Sequence, residues 1–432
     1  MRPVSSFYYW WLSCGEHTSV FCKMNSGLRR RLKKQCIKNI SALLREELIT
    51  LLEEEVGKGK RIWTRKWLRD RSVTGASALL LQQLRLEDPS EYRMALRVTT
   101  ENFDELLSLV HSKIQRNDTL MRDALPAKIK LEVTLSFLAT GMSYRSLSHF
   151  YRVSKPSISV FIPEVCRAIY EALKQFIKVP NAEEWKNIET GFKTRWNFPL
   201  CYGSIDGKHV PIKAPPSSGS LYFNYKKTSS IVLLAVADHD YCFSYIDVGA
   251  CGSASDGGVF KNSSIYRKLE NNLLPNNGVI VGDAAFPLKT YLMKPYPGVN
   301  LSTEEKVFNY RLSRARRIIE NAFGILVSRF RVLEKPIQTN LEAVDAIVCA
   351  CCALHNWLRK TTTSYITATC VDVEDEEGNF LPGSWRSQIH ALQSIANQGS
   401  NHSPRIAREK RELYKNMFMN EGSVPWQLRS IH

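Results

Sequence analysis

Residues 203–209 read Gly203-Ser204-Ile205-Asp206-Gly207-Lys208-His209, and the pattern over residues 200–206 predicts a β-strand that ends in Asp206. Residues 279–283 predict a second strand, which ends in Asp283. Neighbouring parallel strands end at the same edge of a sheet, so two distant aspartates placed there can share one metal ion. The sequence therefore predicts a sheet with an acidic site at one edge.

Further strand and helix patterns extend this pair into a layered domain. Residues 231–237 and 241–248 are predicted strands, joined by a tight turn. Residues 257–271 are predicted to form a helix, and a long helix is predicted within residues 302–333. We therefore predict the fold class α/β, with a mixed sheet flanked by helices.

Two more acidic residues accompany the predicted sheet. Asp256 follows a loop of small residues, and Glu320 lies at the edge of the apolar stripe of the long helix, one turn after Arg316 and Arg317. An isolated aspartate of this kind is usually a cap or turn residue, and such a glutamate usually forms an intrahelical ion pair. Taken with Asp206 and Asp283, they are candidate hard-oxygen ligands for Mg²⁺ or Mn²⁺. The two arginines are candidate phosphate contacts.

Charge and composition narrow the class of partner. The chain has 432 residues and a formal net charge of +17, which favours a polyanion such as nucleic acid, although many basic proteins bind none. Its 11 cysteines are scattered and odd in number, so reduced thiols in the nucleus or cytoplasm are expected rather than a disulfide framework. No stretch approaches the ~20 apolar residues of a membrane span, and we expect no membrane association.

An all-helical pattern precedes the predicted sheet and is typical of a helix-turn-helix. Ser143 is a candidate cap for one short helix and Ser154 for the next. The second helix would present Lys155, Ser157 and Ser159 near its start, where residues that contact DNA bases lie in such motifs. A plain helical bundle gives the same signals, so both interpretations stay open.

These patterns predict five segments. They are a basic helical extension (1–90), a helix-turn-helix-like domain (91–179), a linker (180–199), the α/β domain (200–358) and a polar C-terminal tail (359–432), ordered only in part. The extension carries a basic cluster at residues 29–34, which is either a nuclear-import or DNA-contact patch or a solvated helix face. A stretch with Trp63 and Trp67 is a candidate docking segment for another protein.

An ordered set of motifs over residues 60–390 resembles the Harbinger transposase-derived nucleases of the PIF/Harbinger superfamily. The residues that carry the resemblance are Asp206-Gly207-Lys208-His209, Asp238-His239-Asp240, Ser255-Asp256-Gly257-Gly258-Val259-Phe260-Lys261-Asn262-Ser263, Gly282-Asp283-Ala284-Ala285-Phe286-Pro287-Leu288, Phe308-Asn309, Arg314-Ala315-Arg316 and Glu320-Asn321-Ala322-Phe323-Gly324-Ile325-Leu326. The usual Gly-Tyr before the proline of the fourth motif is replaced by Ala285-Phe286, and Asn321 stands where an arginine is common.

The resemblance implies an RNase H-like core with a DDE triad, which falls on Asp206, Asp283 and Glu320, with Asp256 as a further metal ligand. It implies a DNA endonuclease that uses two divalent ions. It also implies a separate Myb/SANT-like DNA-binding protein that brings the nuclease into the nucleus, with a cytoplasmic fraction in its absence. A homo-oligomer is compatible with the sequence. The alternative is a domesticated DNA-binding or chromatin protein of the same descent that has lost cleavage.

Overall fold

The computed structural model describes residues 26–55, 64–119, 123–374, 380–388, 393–394 and 403–431. The chain separates into two units, Met1–Arg65 and Lys66–His432. The first unit contains the long helix α1 (Ser26–Glu55), which includes the basic cluster at residues 29–34. Apolar side chains of α1, among them Ile40 and Leu44, are exposed.

Helices open the second unit, in agreement with the all-helical pattern. They are α2 (Lys66–Arg69), α3 (Arg71–Thr74), α4 (Leu80–Glu87), α5 (Pro89–Leu96), α6 (Thr100–Ile114), α7 (Ala127–Thr140), α8 (Tyr144–Tyr151) and α9 (Lys155–Leu173). Ser143 and Ser154 accept hydrogen bonds from backbone amides at the starts of α8 and α9, as the sequence predicted. The apolar face of α9 packs against α6 and α7.

Residues 180–199 contain helix α10 (Ala182–Trp196), so the prediction of a linker is wrong. Asn181 and Glu184 form a reciprocal capping box at its start. Phe192 and other apolar side chains are buried on one face, which packs against the first strand of the sheet. The mixed composition of this segment is therefore that of an amphipathic helix.

A mixed sheet and two short helices follow. They are β1 (Cys201–Pro211), β2 (Ser230–Ala237), β3 (Phe243–Cys251), α11 (Asp256–Asn262), α12 (Ser264–Glu270), β4 (Val279–Val281) and β5 (Leu292–Met293). The strand order is β3-β2-β1-β4-β5. The first three strands pair antiparallel, whereas β4 pairs parallel with β1 and β5 parallel with β4. The predicted α/β class with a mixed sheet is confirmed.

Helices cover both faces of this sheet. On one face α11 and α12 bury Phe260 and Leu269 against Ile205 and Val232. On the other lie α13 (Thr303–Arg329) and α14 (Leu341–Thr361). Because α9 packs against α14, one apolar core runs from the helical segment into the sheet. The predicted helix-turn-helix-like segment is therefore joined to the α/β domain by shared packing.

The helix α14 is long and apolar enough to cross a membrane by length and composition, which the sequence analysis did not anticipate. However, 78% of its apolar window is buried inside the protein. It packs against α9 and β3. Burial between these elements accounts for the apolar character of α14.

The described parts of residues 359–432 belong to the fold, which corrects the interpretation of a polar tail. They contain β6 (Val373–Glu374), β7 (Phe380–Leu381), α15 (Trp385–Gln388), β8 (Gln393–Ser394) and α16 (Arg405–Met419). The strand β8 pairs with the distal half of β1. The helix α16 buries Ala407 and Phe418 and packs against α13. Its few apolar residues lie on one face, so its average composition is polar.

Candidate active site

The parallel pairing of β1 with β4 places Asp206 beside Asp283. Ser204 is the register partner of Val281, and each aspartate lies two residues further along its own chain segment. Asp206 does not end its strand as predicted, because β1 continues alongside β2 as far as Pro211. The two carboxylates nevertheless lie together. Asp283 follows the end of β4, at the level where Asp206 lies within the longer strand β1.

Asp256 completes a group of three carboxylates. It is the first residue of α11, after Ser255, whose side chain caps the helix. One ligand oxygen from each of Asp206, Asp256 and Asp283 lies within 4.8 Å of the others. Asp256 is fully buried, and no described residue donates a hydrogen bond to either of its carboxylate oxygens.

This arrangement opposes ionisation of Asp256 and Asp283. Burial, followed by the charges of Asp206 and Asp283, raises the pKa of Asp256 to about 9. Burial and the charge of Asp206 also raise the pKa of Asp283. Buried, unpaired carboxylates that repel one another are costly unless a cation offsets their charge. Asp256, whose oxygens receive no hydrogen bond from a described residue, converges with oxygens of Asp206 and Asp283, and this set of donors fits a hard divalent cation.

Two basic side chains lie beside the aspartates. Lys208 is on the same face of β1 as Asp206, and its Nζ lies 2.8 Å from Asp206 Oδ2. Although burial opposes the charge of Arg316, the carboxylates of Glu320, Asp206 and Asp283 raise its pKa above the ordinary value. The sequence analysis did not predict that Lys208 would form an ion pair with Asp206. The period-two alternation of β1, which places residues 206 and 208 on one face, could have revealed it.

Glu320 lies outside the group of three carboxylates. It forms an ion pair with Arg316, one turn earlier in α13, and lies 3.6 Å from Arg386. The four predicted ligands do not all converge. The three aspartates lie together, whereas Glu320 contacts arginine side chains instead. The ion pair has the spacing that favours such contacts within a helix.

A segment from the C-terminal region covers α13 next to Glu320. Trp385 occupies the space above Gly324, and its Nε1 donates a hydrogen bond to Asn321 Oδ1 at 2.9 Å. Arg386 forms two hydrogen bonds with Asp372, at 2.9 and 2.6 Å. We call residues 370–388, as far as they are described, the strap. No local pattern in the sequence links this strap to the helix.

The strap also engages one of the two arginines proposed as phosphate contacts. Arg317 lies 2.7 Å from Glu374 Oε1, and Arg314 lies 2.8 Å from Glu374 Oε2. Glu374 lies in residues 359–432, which the sequence analysis assigned to a polar tail. Arg316 and Arg317 thus each have a carboxylate partner in this structure.

The predicted base-contacting residues lie at the start of α9. Lys155 and Ser159 are exposed, whereas the hydroxyl of Ser157 is 2.7 Å from that of Ser154. None of the three belongs to the aspartate group. Their role in DNA contact stays a prediction.

Comparison with known proteins found a family match over part of the chain. Residues 205–356 match the family described as DDE superfamily endonuclease, and this span contains the three aspartates and Glu320. A DDE superfamily domain implies an RNase H-like core, in agreement with the strand order observed.

Three related proteins each cover between 66% and 71% of this chain. The chain is 25% identical over 325 residues to "Protein ALP1-like" of Arabidopsis thaliana, covering 71% of this chain and 77% of that protein. It is 28% identical over 297 residues to "Putative nuclease HARBI1" of Rattus norvegicus, covering 66% and 83%. The human protein of the same name is 28% identical over 293 residues, covering 66% and 83%. No solved structure matches at a significant level.

Proposed function

We propose, from the premise that this chain belongs to the Harbinger transposase-derived nucleases of the DDE superfamily, that it is a metal-dependent DNA endonuclease. The observation that carries the proposal is the group of three buried aspartates. A scaffold protein gains nothing from burying repelling carboxylates, whereas a metal-dependent nuclease requires them.

Asp206, Asp256 and Asp283 would hold Mg²⁺ or Mn²⁺, and Glu320 is the proposed third member of the catalytic triad. Divalent ions bound there supply activation of the attacking water and stabilisation of the leaving 3′-oxygen. In the present arrangement Lys208 and Arg316 balance the aspartate charges. When a DNA phosphate is bound, the side chains of Lys208 and Arg316 are positioned to contact its oxygens and to hold it against the carboxylates.

A second candidate function has one observation in its favour. Glu320 is paired with Arg316 and lies near Arg386, outside the aspartate group. A descendant that binds DNA and no longer cleaves it would keep Glu320 in this arrangement permanently. An active nuclease must exchange the Arg316 pair for contact with the metal site.

Cleavage of supercoiled plasmid distinguishes the two functions. The wild type is expected to nick the plasmid with Mg²⁺ or Mn²⁺ and to be inactive with a chelator. Asp283→Ala should abolish nicking while leaving DNA binding in place. Asp104→Asn, which changes an exposed aspartate of α6, is the matched control and should remain active. Binding without nicking by the wild type would favour the second candidate.

The proposed partners and location follow the same premise. We propose that the protein is nuclear, with a cytoplasmic fraction when a Myb/SANT-like partner is missing, and that it can assemble as a homo-oligomer. Trp67 packs edge-on against His149, whereas Trp63 lies outside the described residues. Within the proposed docking segment, Trp67 is therefore held by a contact with another part of the chain.

Imaging of the tagged protein tests how it enters the nucleus. If the partner carries it, expression alone should leave most of the protein cytoplasmic, and co-expression should move it into the nucleus. If residues 29–34 suffice, nuclear signal should appear without the partner and disappear when Arg29, Arg30 and Arg31 are changed to Ala. Arg30 and Arg31 are exposed on α1.

A further inference from the structure

The loop between β1 and β2, residues 212–229, displays aromatic and basic side chains to solvent. Phe223 is 47% exposed and Tyr225 is 52% exposed. Lys226 and Lys227 follow them, and Lys226 Nζ lies 5.6 Å from the centre of the Tyr225 ring. The loop contains Lys213 as well and has no aspartate or glutamate. The loop therefore combines exposed aromatic rings with lysine residues and contains no acidic residue in its own sequence.

Buried hydrogen bonds hold this loop in one conformation. Asn224 is 3% exposed, and its Oδ1 accepts hydrogen bonds from the backbone amides of Lys226 and Thr228, each at 3.1 Å. Its Nδ2 donates to Ser230 Oγ at 3.1 Å, and that hydroxyl is 2.8 Å from His209 Nδ1. A loop fixed in this way presents its rings without a large entropic cost on binding.

The loop follows β1, the strand that carries Asp206. His209 is three residues beyond Asp206 in β1, about 10 Å along an extended strand. The amide of Ser253, in the connection that leads to Asp256, donates a hydrogen bond to Leu221 O at 3.4 Å. The loop thus borders the connection that carries one of the three carboxylates.

We propose that the β1–β2 loop binds an unpaired nucleotide of the DNA strand whose phosphate lies at the aspartates. Phe223 and Tyr225 stack on the base, and Lys226 and Lys227 contact the flanking phosphates. Aromatic faces stack on any unpaired base, whereas they find no accessible base face in an intact duplex. The proposal rests on the proposed nuclease function, because that function supplies the nucleic acid.

Binding of labelled DNA in the presence of a chelator tests the loop separately from cleavage. The probes are a fluorescein-labelled oligothymidylate and a blunt duplex of the same length, measured by fluorescence anisotropy. The double variant Phe223→Leu/Tyr225→Leu should weaken binding of the oligothymidylate by about tenfold or more. Binding of the duplex should stay within about twofold of the wild type, because phosphate contacts dominate there.

Matched variants separate stacking from charge. Lys226→Gln/Lys227→Gln should weaken binding of both probes and reduce the salt dependence for the single strand by about 0.7 per lost contact. Leu413→Ala changes a surface apolar residue of α16 that is 68% exposed and should bind both probes as the wild type does. Thermal unfolding of each variant checks that the fold is retained.

Three outcomes would overturn the inference. These are unchanged binding of the oligothymidylate by the double variant, an equal loss for both probes, or a change of oligomeric state, which would assign the aromatic residues to a protein interface. Because these measurements need no cleavage, they can contradict the proposed role of the loop without contradicting the proposed nuclease activity. Plasmid nicking with unaltered oligothymidylate binding would leave the function standing and remove the loop from it.

Discussion

At the scale of single residues, Asp256 has surroundings that disfavour its ionised form. Its carboxylate is buried, faces two other aspartates and receives no hydrogen bond from a described residue. Stability is therefore given up locally to keep three oxygen donors together, which is a common feature of functional sites. Lys208 and Arg316 recover part of the electrostatic cost.

We expect Asp256→Asn to stabilise the metal-free protein. The folded-state pKa of Asp256 is raised from 3.8 to about 9, so the folded protein binds this proton more tightly than the unfolded chain does. The contribution of Asp256 to stability consequently falls as pH rises across that window. In chelator at pH 9 the variant should have a free energy of unfolding about 1–3 kcal/mol above the wild type, with the two converging near pH 4.

Urea unfolding across this pH range measures the difference, and repeating it with Mg²⁺ tests the metal. The cation should stabilise the wild type more than Asp256→Asn, because the variant has lost an anionic ligand. Parallel pH profiles for the two proteins, with equal responses to Mg²⁺, would contradict this role for Asp256.

At the scale of elements, the strap and α13 form one packed unit around Gly324. A Cβ atom at this position would collide with the ring of Trp385, so the glycine is required by close approach rather than by backbone conformation. The strap in turn places Arg386 near Glu320 and Glu374 against Arg314 and Arg317. The side chains around the proposed triad glutamate thus depend on an element distant in sequence.

We expect the effect of Gly324→Ala to change sign with the residue at position 385. In the wild type the added methyl should displace Trp385 and lower the free energy of unfolding by about 1–3 kcal/mol. In a Trp385→Ala background the space is open, and alanine should stabilise the helix interior by up to about 1 kcal/mol over glycine. Urea unfolding of the four proteins gives the coupling, and an equal cost in both backgrounds would argue against the contact.

At the scale of the whole molecule, the helical segment and the sheet share one apolar core. The helix α9 covers a face of α14, whose other neighbours include β3. An α/β domain cut out at the predicted boundary would expose that face of α14. Large exposed apolar patches of this kind lead to aggregation.

We therefore expect a protein that begins at Pro180 to aggregate or to lose cooperative thermal unfolding. A protein that begins at Thr64 should keep the melting temperature of the full chain, because residues Met1–Arg65 form a separate unit. Size-exclusion chromatography and thermal unfolding compare the two truncations. A soluble, cooperatively unfolding protein from Pro180 would show that the helical segment is an independent domain.

Local signals were sufficient for much of this description. The caps at Ser143 and Ser154, the strands and the acidic edge of the sheet were predicted, because capping and period-two alternation depend on near neighbours in sequence. The amphipathic helices α10 and α16 were assigned to a linker and a tail, because their apolar residues are few and become meaningful only against a partner surface.

The sequence by itself determined the fold class and the candidate carboxylates, since alternation, capping residues and acidic positions are written locally in the chain. The tertiary structure alone decided which carboxylates meet. The register of β1 and β4 brings Asp206 and Asp283 together, and the start of α11 adds Asp256. The tertiary structure also decided that Arg386 of the strap lies beside Glu320, because contacts between distant segments depend on packing of the whole core.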